Sequence, residues 1–324
     1  MADKIVRIGI LGCANIARKS VIPAILSLSG KYKLKYIASR TAEKAESFAK
    51  EFECSPIVGY EELIYSDDVD ALYIPLPTGM HKEWINKALQ AGKHVYSEKS
   101  IAYSYHEAQE MVNNARGKGL GLMEGYMFLY HSQHSEVFKL INSGSIGEIR
   151  HFYSSFGFPP LQPDNFRYSE NMGGGALLDA AGYTLRATHF IMGSELEVKA
   201  ATLHMDASKG TNIYGSAFLS NSKGIGATIA FGFDNFYQCR YEVWGELGKI
   251  TVERAFTAPP NMSPKIVFEN TAGLHVINAQ PDNHFIRSFE EFYKLITKTE
   301  LMEKHYSDIL SQSQSLELIR EYSN

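Results

Sequence analysis

Ile5-Val6-Arg7-Ile8-Gly9-Ile10-Leu11-Gly12-Cys13-Ala14-Asn15-Ile16-Ala17 is the stretch on which the fold of this chain turns. The aliphatic run from Ile5 to Leu11 reads as a buried strand. It ends in small residues at Gly12, Ala14 and Ala17, a G-x-A-x-x-A spacing. In a dinucleotide turn the first small residue allows the tight bend and the second lets backbone approach a pyrophosphate. The third lets the following helix pack closely on the strand. Backbone N–H groups at the start of that helix then favour an anion. Gly12, Cys13, Ala14, Asn15, Ile16 and Ala17 are therefore candidate cofactor-binding residues, with Cys13 as a small filler and not a nucleophile.

Working outward, short β-rich runs recur at Leu34–Ser39, Ala71–Pro75, His94–Ser97 and Leu120–Tyr126. Amphipathic segments such as Ala42–Phe52 and His81–Ala91 lie between them. This alternation predicts βαβ units and a doubly wound parallel sheet, a Rossmann domain over 1–125. The second strand ends in Ser39-Arg40, with no Asp or Glu. An acidic residue there would bind the ribose of NAD, whereas Arg suits the 2′-phosphate of NADP. NADP(H) is the expected cofactor.

Beyond Tyr126 the pattern changes. A helix is expected over Ser132–Asn142, a strand near Ile149–Phe158, and a helix over about Gly175–Met192. Several antiparallel strands follow from Leu196 to Ile277, and helices over Asn283–Thr297 and His305–Tyr322 close the chain. The expectation is a second, α+β domain over 126–324 with an open, largely antiparallel sheet, for substrate binding and oligomerisation. The fold class is thus α/β with an added α+β domain.

Composition sets bounds on function. At about 150 residues per domain, 324 residues suit two domains. Lys plus Arg is 32 against 36 Asp plus Glu, a net charge of −4, which argues against a nucleic-acid partner. No apolar run reaches the ~18–20 residues of a membrane helix, and Met1-Ala2-Asp3-Lys4 does not open a signal peptide. Cys13, Cys54 and Cys239 are scattered and form neither a metal spacing nor a disulfide framework. A cytoplasmic location is the natural expectation.

The segment His94-Val95-Tyr96-Ser97-Glu98-Lys99-Ser100 puts an acid–base pair at the carboxyl edge of the sheet, where ligands bind in open α/β folds. Pro75-Leu76-Pro77-Thr78-Gly79-Met80-His81 follows another strand at that edge. With the turn at Gly12, these stretches resemble the glucose–fructose oxidoreductase / inositol dehydrogenase / rhizopine catabolism (Gfo/Idh/MocA) superfamily. The resemblance spans essentially the whole chain. It implies a catalytic Lys99, taken from a Glu-Lys-Pro motif, and cofactor contacts from Leu76, His81 and Glu98. Ser100 replaces the motif's Pro, which removes a constraint on φ.

Met123-Glu124-Gly125-Tyr126-Met127-Phe128-Leu129-Tyr130-His131-Ser132-Gln133-His134 and Gly173-Gly174-Gly175-Ala176-Leu177-Leu178-Asp179 are similar to the nucleotide-sugar C-3 ketoreductase branch. Relatives often carry Asn where this chain has Gly125, so that cofactor contact is missing here or made by backbone. Asp179 and Tyr183 fall at i and i+4, one face of a helix. Tyr titrates near pH 10, so Tyr183 is a proton donor at neutral pH, and an ammonium such as Lys99 would lower its pKa. The other reading is a buried Tyr bonded to Asp. Arg167 reads either as a clamp for a diphosphate or as a surface arginine. Tyr237 reads as a contact to sugar or base, or as packing. Arg167, Asp179 and Tyr237 form the expected substrate-binding set. His131 and His134 read as core or supporting histidines, with no metal expected.

The resemblance implies NADPH-dependent reduction of the C-3 keto group of a nucleotide-linked deoxysugar, with thymidine diphosphate as the expected nucleotide. Either Tyr183 or Lys99 delivers the proton. The alternatives are an NADP-dependent aldose or dihydrodiol dehydrogenase and a non-enzymatic dinucleotide sensor; the Lys99 and Tyr183 pair favours an enzyme. The open sheet and the family analogy imply a homo-oligomer, dimer or tetramer.

Overall fold

The computed structural model describes residues 4–323. The N-terminal expectation at Met1-Ala2-Asp3 lies outside these residues. The chain divides into two compact units, Met1–Gly125 with Phe285–Leu310, and Tyr126–His284 with Ser311–Asn324.

The first unit is built on β1 (Val6–Leu11), β2 (Tyr32–Ser39), β3 (Ser55–Val58), β4 (Ala71–Ile74), β5 (His94–Ser97) and β6 (Leu122–Glu124). They form a parallel sheet in the order β3-β2-β1-β4-β5-β6. Its helices are α1 (Ile22–Ser27), α2 (Ala42–Glu51), α3 (Tyr60–Ile64), α4 (Thr78–Gln90) and α5 (Tyr105–Lys118). β1, β4 and β5 are almost wholly buried, as strands covered on both faces must be. Because all strands run the same way, Gly12, Arg40, Leu76, Lys99 and Glu124 emerge at one carboxyl edge.

Two expectations need correction here. β3 was not anticipated, because Ser55-Pro56-Ile57-Val58 is a short edge strand with one buried residue and a proline. The continuous second domain over 126–324 also gives way, since the chain returns to the first unit at Phe285. The cause is aromatic packing. Phe289, on α8 (His284–Thr297), stacks on Tyr96 at 4.7 Å and meets Tyr32 and Tyr73 edge-on at 5.9 Å.

The second unit holds α6 (Gln133–Asn142), α7 (Gly182–Met192) and the latter part of α9 (Met302–Glu321). Its strands are β7 (Ile149–Gly157), β8 (Leu196–Asp206), β9 (Thr211–Asn221), β10 (Gly226–Gly232), β11 (Gln238–Gly245), β12 (Gly248–Glu253), β13 (Lys265–Asn270) and β14 (Gly273–Asn278). The sheet order is β14-β13-β12-β11-β7-β10-β9-β8, antiparallel except for the β7–β10 pair. One face is apolar and buried, through Phe152, Phe156, Ile229, Tyr241, Val243 and Ile250. The other carries a register-aligned row of Phe218, Thr228, Tyr153 and Glu242. Alternation along the strands separates the two faces. The first turn of the expected 175–192 helix is a π-helix, Leu177–Ala181, leading directly into α7. Such π turns often fall at functional sites.

Candidate active site

The turn after β1 is shaped as its residue types require. Gly12 has φ +129°, and a Cβ there would lie 2.9 Å from Leu76 Cδ2. Its N–H is bonded to Ala38 O at 3.0 Å. Leu76 and Gly12 are thus in contact. Ala14 and Ile16 are half-buried, Asn15 is exposed, and Ala17 is fully buried under the helix that starts here. Cys13 is half-buried, and burial pushes its thiol up, away from reactivity.

At the end of β2, Ser39 is buried and its Oγ accepts from Thr41 N–H at 3.4 Å. Arg40 is exposed and lies beside the Tyr60 hydroxyl. Burial pushes the Tyr60 phenol up while Arg40 pulls it back. Tyr60, itself seated edge-on against Trp84 at 5.0 Å, was not anticipated. These residues fit a dinucleotide: a glycine turn that a Cβ would fill, and a cation where NAD-specific sites keep an acid.

The loop after β5 carries Glu98, Lys99 and Ser100, and the Lys99–Ser100 peptide bond is cis. Glu98 Oε1 accepts from Tyr73 OH at 2.7 Å. His81 departs from expectation. It is fully buried, with Nδ1 2.9 Å from Ser100 O and Nε2 2.7 Å from Leu76 O. Burial lowers its pKa to about 4, so the ring is neutral and donates to one carbonyl at a time. His81 lies between the two loops and bonds to one of them at a time; its polar atoms face backbone and not a cofactor. Gly125 also resolves. A Cβ there would lie 3.0 Å from Ser97 O, and its N–H is bonded to that same oxygen at 2.8 Å. Neither its position nor its amide is available for the contact expected of Asn.

In the second unit Arg167 and Asp179 come together, with Nε donating to Oδ2 at 2.8 Å. The glycines at 173–175 make this possible. A Cβ on Gly174 would lie 2.5 Å from Arg167 O, and Gly175 N–H donates to the same carbonyl at 2.8 Å. The guanidinium also lies over the Phe166 ring at 4.7 Å. Asp179 sits in the π turn, one turn ahead of Tyr183.

Tyr183 is 7% exposed and is held by rings: Phe156 at 4.8 Å, Tyr126 at 5.6 Å, Phe256 at 5.8 Å and Phe128 at 5.9 Å. Its hydroxyl reaches Met127 Sδ at 4.0 Å, a weak acceptor. Tyr237 has a neighbourhood of its own. Its hydroxyl accepts from Arg254 Nη1 at 2.7 Å and lies 3.0 Å from Thr257 Oγ1. Arg254, which lies over the Tyr237 ring at 4.6 Å, carried no sequence signal. His134 packs inside the unit against Tyr241, with Nδ1 2.8 Å from the hydroxyl, and burial lowers its pKa to about 3.

A turn for a pyrophosphate, a Lys-bearing loop at the same sheet edge and an open-sheet unit define a dinucleotide-dependent oxidoreductase. Residues 6–126 match an oxidoreductase family described by its NAD-binding Rossmann fold, and residues 134–251 match the GFO/IDH/MocA C-terminal domain. The chain belongs to the GFO/IDH/MocA family of oxidoreductases. It is 43% identical to dTDP-3,4-didehydro-2,6-dideoxy-alpha-D-glucose 3-reductase of Saccharopolyspora spinosa, over 82% of this chain and 80% of that protein. The reductase of the same name from Actinomadura kijaniata is 36% identical over 97% of this chain and 95% of its own length. Among solved structures, KijD10, a 3-ketoreductase from Actinomadura kijaniata in complex with NADP and TDP-benzene, superimposes with a TM-score of 0.95. It is 35% identical and 98% of each chain is covered. Among the described residues no helix is long and apolar enough to cross a membrane.

Proposed function

We propose that this chain is an NADPH-dependent ketoreductase that reduces the C-3 keto group of a nucleotide-linked deoxysugar, with thymidine diphosphate as the handle. The observation that carries this reading is the likeness to a 3-ketoreductase over 98% of both chains, not over the Rossmann half alone. Arg40, exposed at the end of β2, supports NADP over NAD.

When bound, the reduced dinucleotide supplies the hydride. The Gly12–Ala17 turn seats its pyrophosphate, and Ser39 and Arg40 hold the 2′-phosphate. Tyr183 donates a proton to the ketone oxygen as charge develops there, a step that typically contributes ~10²–10⁴-fold. Lys99 is the other catalytic residue of this reading. Arg167, held by Asp179, is a cation for the diphosphate. Tyr237, paired with Arg254, contacts the sugar or base.

The open face of the second sheet favours a homo-oligomer. Tyr153, Phe218 and Trp244 are 41%, 41% and 51% exposed there, and Tyr153 and Trp244 line a cavity of about 770 Å³. Exposed aromatics on an open sheet face favour pairing with a second copy. The free cysteines at 13, 54 and 239 suit a cytoplasmic setting.

The test is NADPH oxidation with a dTDP-linked 3-keto-deoxysugar, alongside thermal melting with thymidine diphosphate. A ligand at a hundredfold excess over its Kd stabilises by about 2.7 kcal/mol, a readable shift. Turnover of a free aldose with no melting shift from any nucleoside diphosphate would overturn the substrate assignment.

A further inference from the structure

The loop that carries Lys99 is gripped from several sides by side chains that the proposed chemistry leaves without a part. Ahead of Lys99, Tyr73 donates its hydroxyl proton to Glu98 Oε1 at 2.7 Å. Behind it, His81 meets the Ser100 carbonyl at 2.9 Å. One residue further, the Ile101 N–H donates to Glu124 Oε1 at 2.8 Å. Ser100 and Ile101 are 2% and 0% exposed, so this backbone lies away from water. Glu124 is the last residue of β6 and pairs in register with Ser97, where β5 delivers the loop. Its carboxylate is therefore carried by a strand paired with β5, not by another loop. A backbone amide bonded to a carboxylate is charge-assisted and roughly twice as strong as a neutral pair. Reacting side chains must be held to within about 0.5 Å of the productive geometry, and these bonds fix the backbone on both sides of Lys99.

We infer that Glu124 is a positioning residue for Lys99, acting through the Ile101 amide, with Tyr73 as the matching anchor on the Glu98 side. The inference rests on the catalytic reading of Lys99. It separates Glu124 from structural carboxylates, because it predicts that the effect of Glu124 on rate depends on Lys99. Loss of a hydrogen bond to a charged group costs about tenfold to a hundredfold in the quantity it supports.

The experiment makes Glu124→Ala, Glu124→Gln and Tyr73→Phe, each alone and with Lys99→Met. Single-turnover NADPH oxidation with a dTDP-linked 3-keto-deoxysugar, substrate KM, NADPH Kd and Tm are read for all. Glu124→Ala should lower the rate about tenfold to a hundredfold, with KM changing less than kcat. Glu124→Gln should recover most of the rate, because its amide oxygen still accepts from Ile101. In the Lys99→Met background Glu124→Ala and Tyr73→Phe should add little, as residues acting as one unit do. Tyr73→Phe keeps the ring in its cluster and carries the test should Glu124→Ala fail to fold. If either loss is as large without Lys99 as with it, the positioning role is wrong although Lys99 stays catalytic. If Lys99→Met alone runs at the wild-type rate, the reading of Lys99 falls and the inference falls with it.

Discussion

At Lys99 the backbone is fixed by hydrogen bonds, whereas at Tyr183 the ring is fixed by packing. The loop after β5 is held through polar atoms of Tyr73, His81 and Glu124. The ring on α7 sits among Tyr126, Phe128, Phe156 and Phe256, and its hydroxyl is directed at a thioether. The difference decides what a substitution reports. At the loop, polar isosteres separate positioning from chemistry. At the ring, removal of one oxygen leaves the aromatic packing in place, so a lost rate would report on the proton transfer proposed for Tyr183.

Tyr183→Phe is the largest test of that contrast. It should lower kcat by about 10²–10⁴-fold, while NADPH Kd and Tm stay near wild type. Single-turnover NADPH oxidation at saturating substrate is the measurement. If Tyr183→Phe keeps nearly full rate while Lys99→Met is dead, Lys99 is the proton donor and the aromatic pocket only orients the ketone.

A smaller effect is expected where a side chain is exposed rather than enclosed. Arg40 lies at the surface beside Tyr60. Arg40→Ala should weaken NADPH binding about tenfold to a hundredfold and leave NADH nearly unchanged. Fluorescence titration with both cofactors checks this. A wild-type preference for NADH would remove the 2′-phosphate from the account.

The same contrast explains what could be read from the chain alone. The Rossmann sheet was legible because short β-rich runs alternate with amphipathic segments. The Gly12 turn was legible because only a residue without Cβ fits beneath Leu76. What escaped was set by contacts distant in sequence. The return of Phe285–Leu310 to the first unit depends on Phe289 meeting Tyr32, Tyr73 and Tyr96, which no local pattern encodes. His81 was expected at the cofactor from the family resemblance, yet its ring nitrogens face the Leu76 and Ser100 carbonyls. Glu124 was visible only as a carboxylate inside the strand expected over Leu120–Tyr126. It lacked meaning until the register placed it beside Ser97. Arg167 and Asp179 were separately nameable, but their pairing rests on the glycines at 173–175 allowing the turn to fold back.

Protonation probes both surroundings at once, with the smallest expected effect. Each contains a buried neutral histidine: His81 beneath the Lys99 loop, and His134, whose ring lies 5.8 Å from that of Phe128. Burial is the main cause in both, and it lowers their pKa values to about 4 and about 3. His94 and His284 are likewise held at about 4 by burial. In the unfolded chain histidine titrates near 6.5. Between those limits the unfolded state therefore binds more protons than the folded one, and stability rises with pH across the window. The stabilisation is fully present above about pH 6.5 and is lost as pH falls towards 4. Glu291 acts lower down. His305 beside it holds its carboxyl at about 2, so its contribution is lost only below the ordinary carboxylate range near 4.5. The expected outcome is a Tm several degrees lower at pH 5 than at pH 7, on a scale of ~2–4 °C per kcal/mol for domains of this size. Unfolding at pH 5 should take up more than one proton, read from the slope of the unfolding constant against pH. A Tm that stays flat from pH 7 to pH 5 would mean that these rings already carry their protons in the folded state. His81 would then donate to both the Ser100 and Leu76 carbonyls at once, and the loop behind Lys99 would be held by a cation instead of a neutral ring.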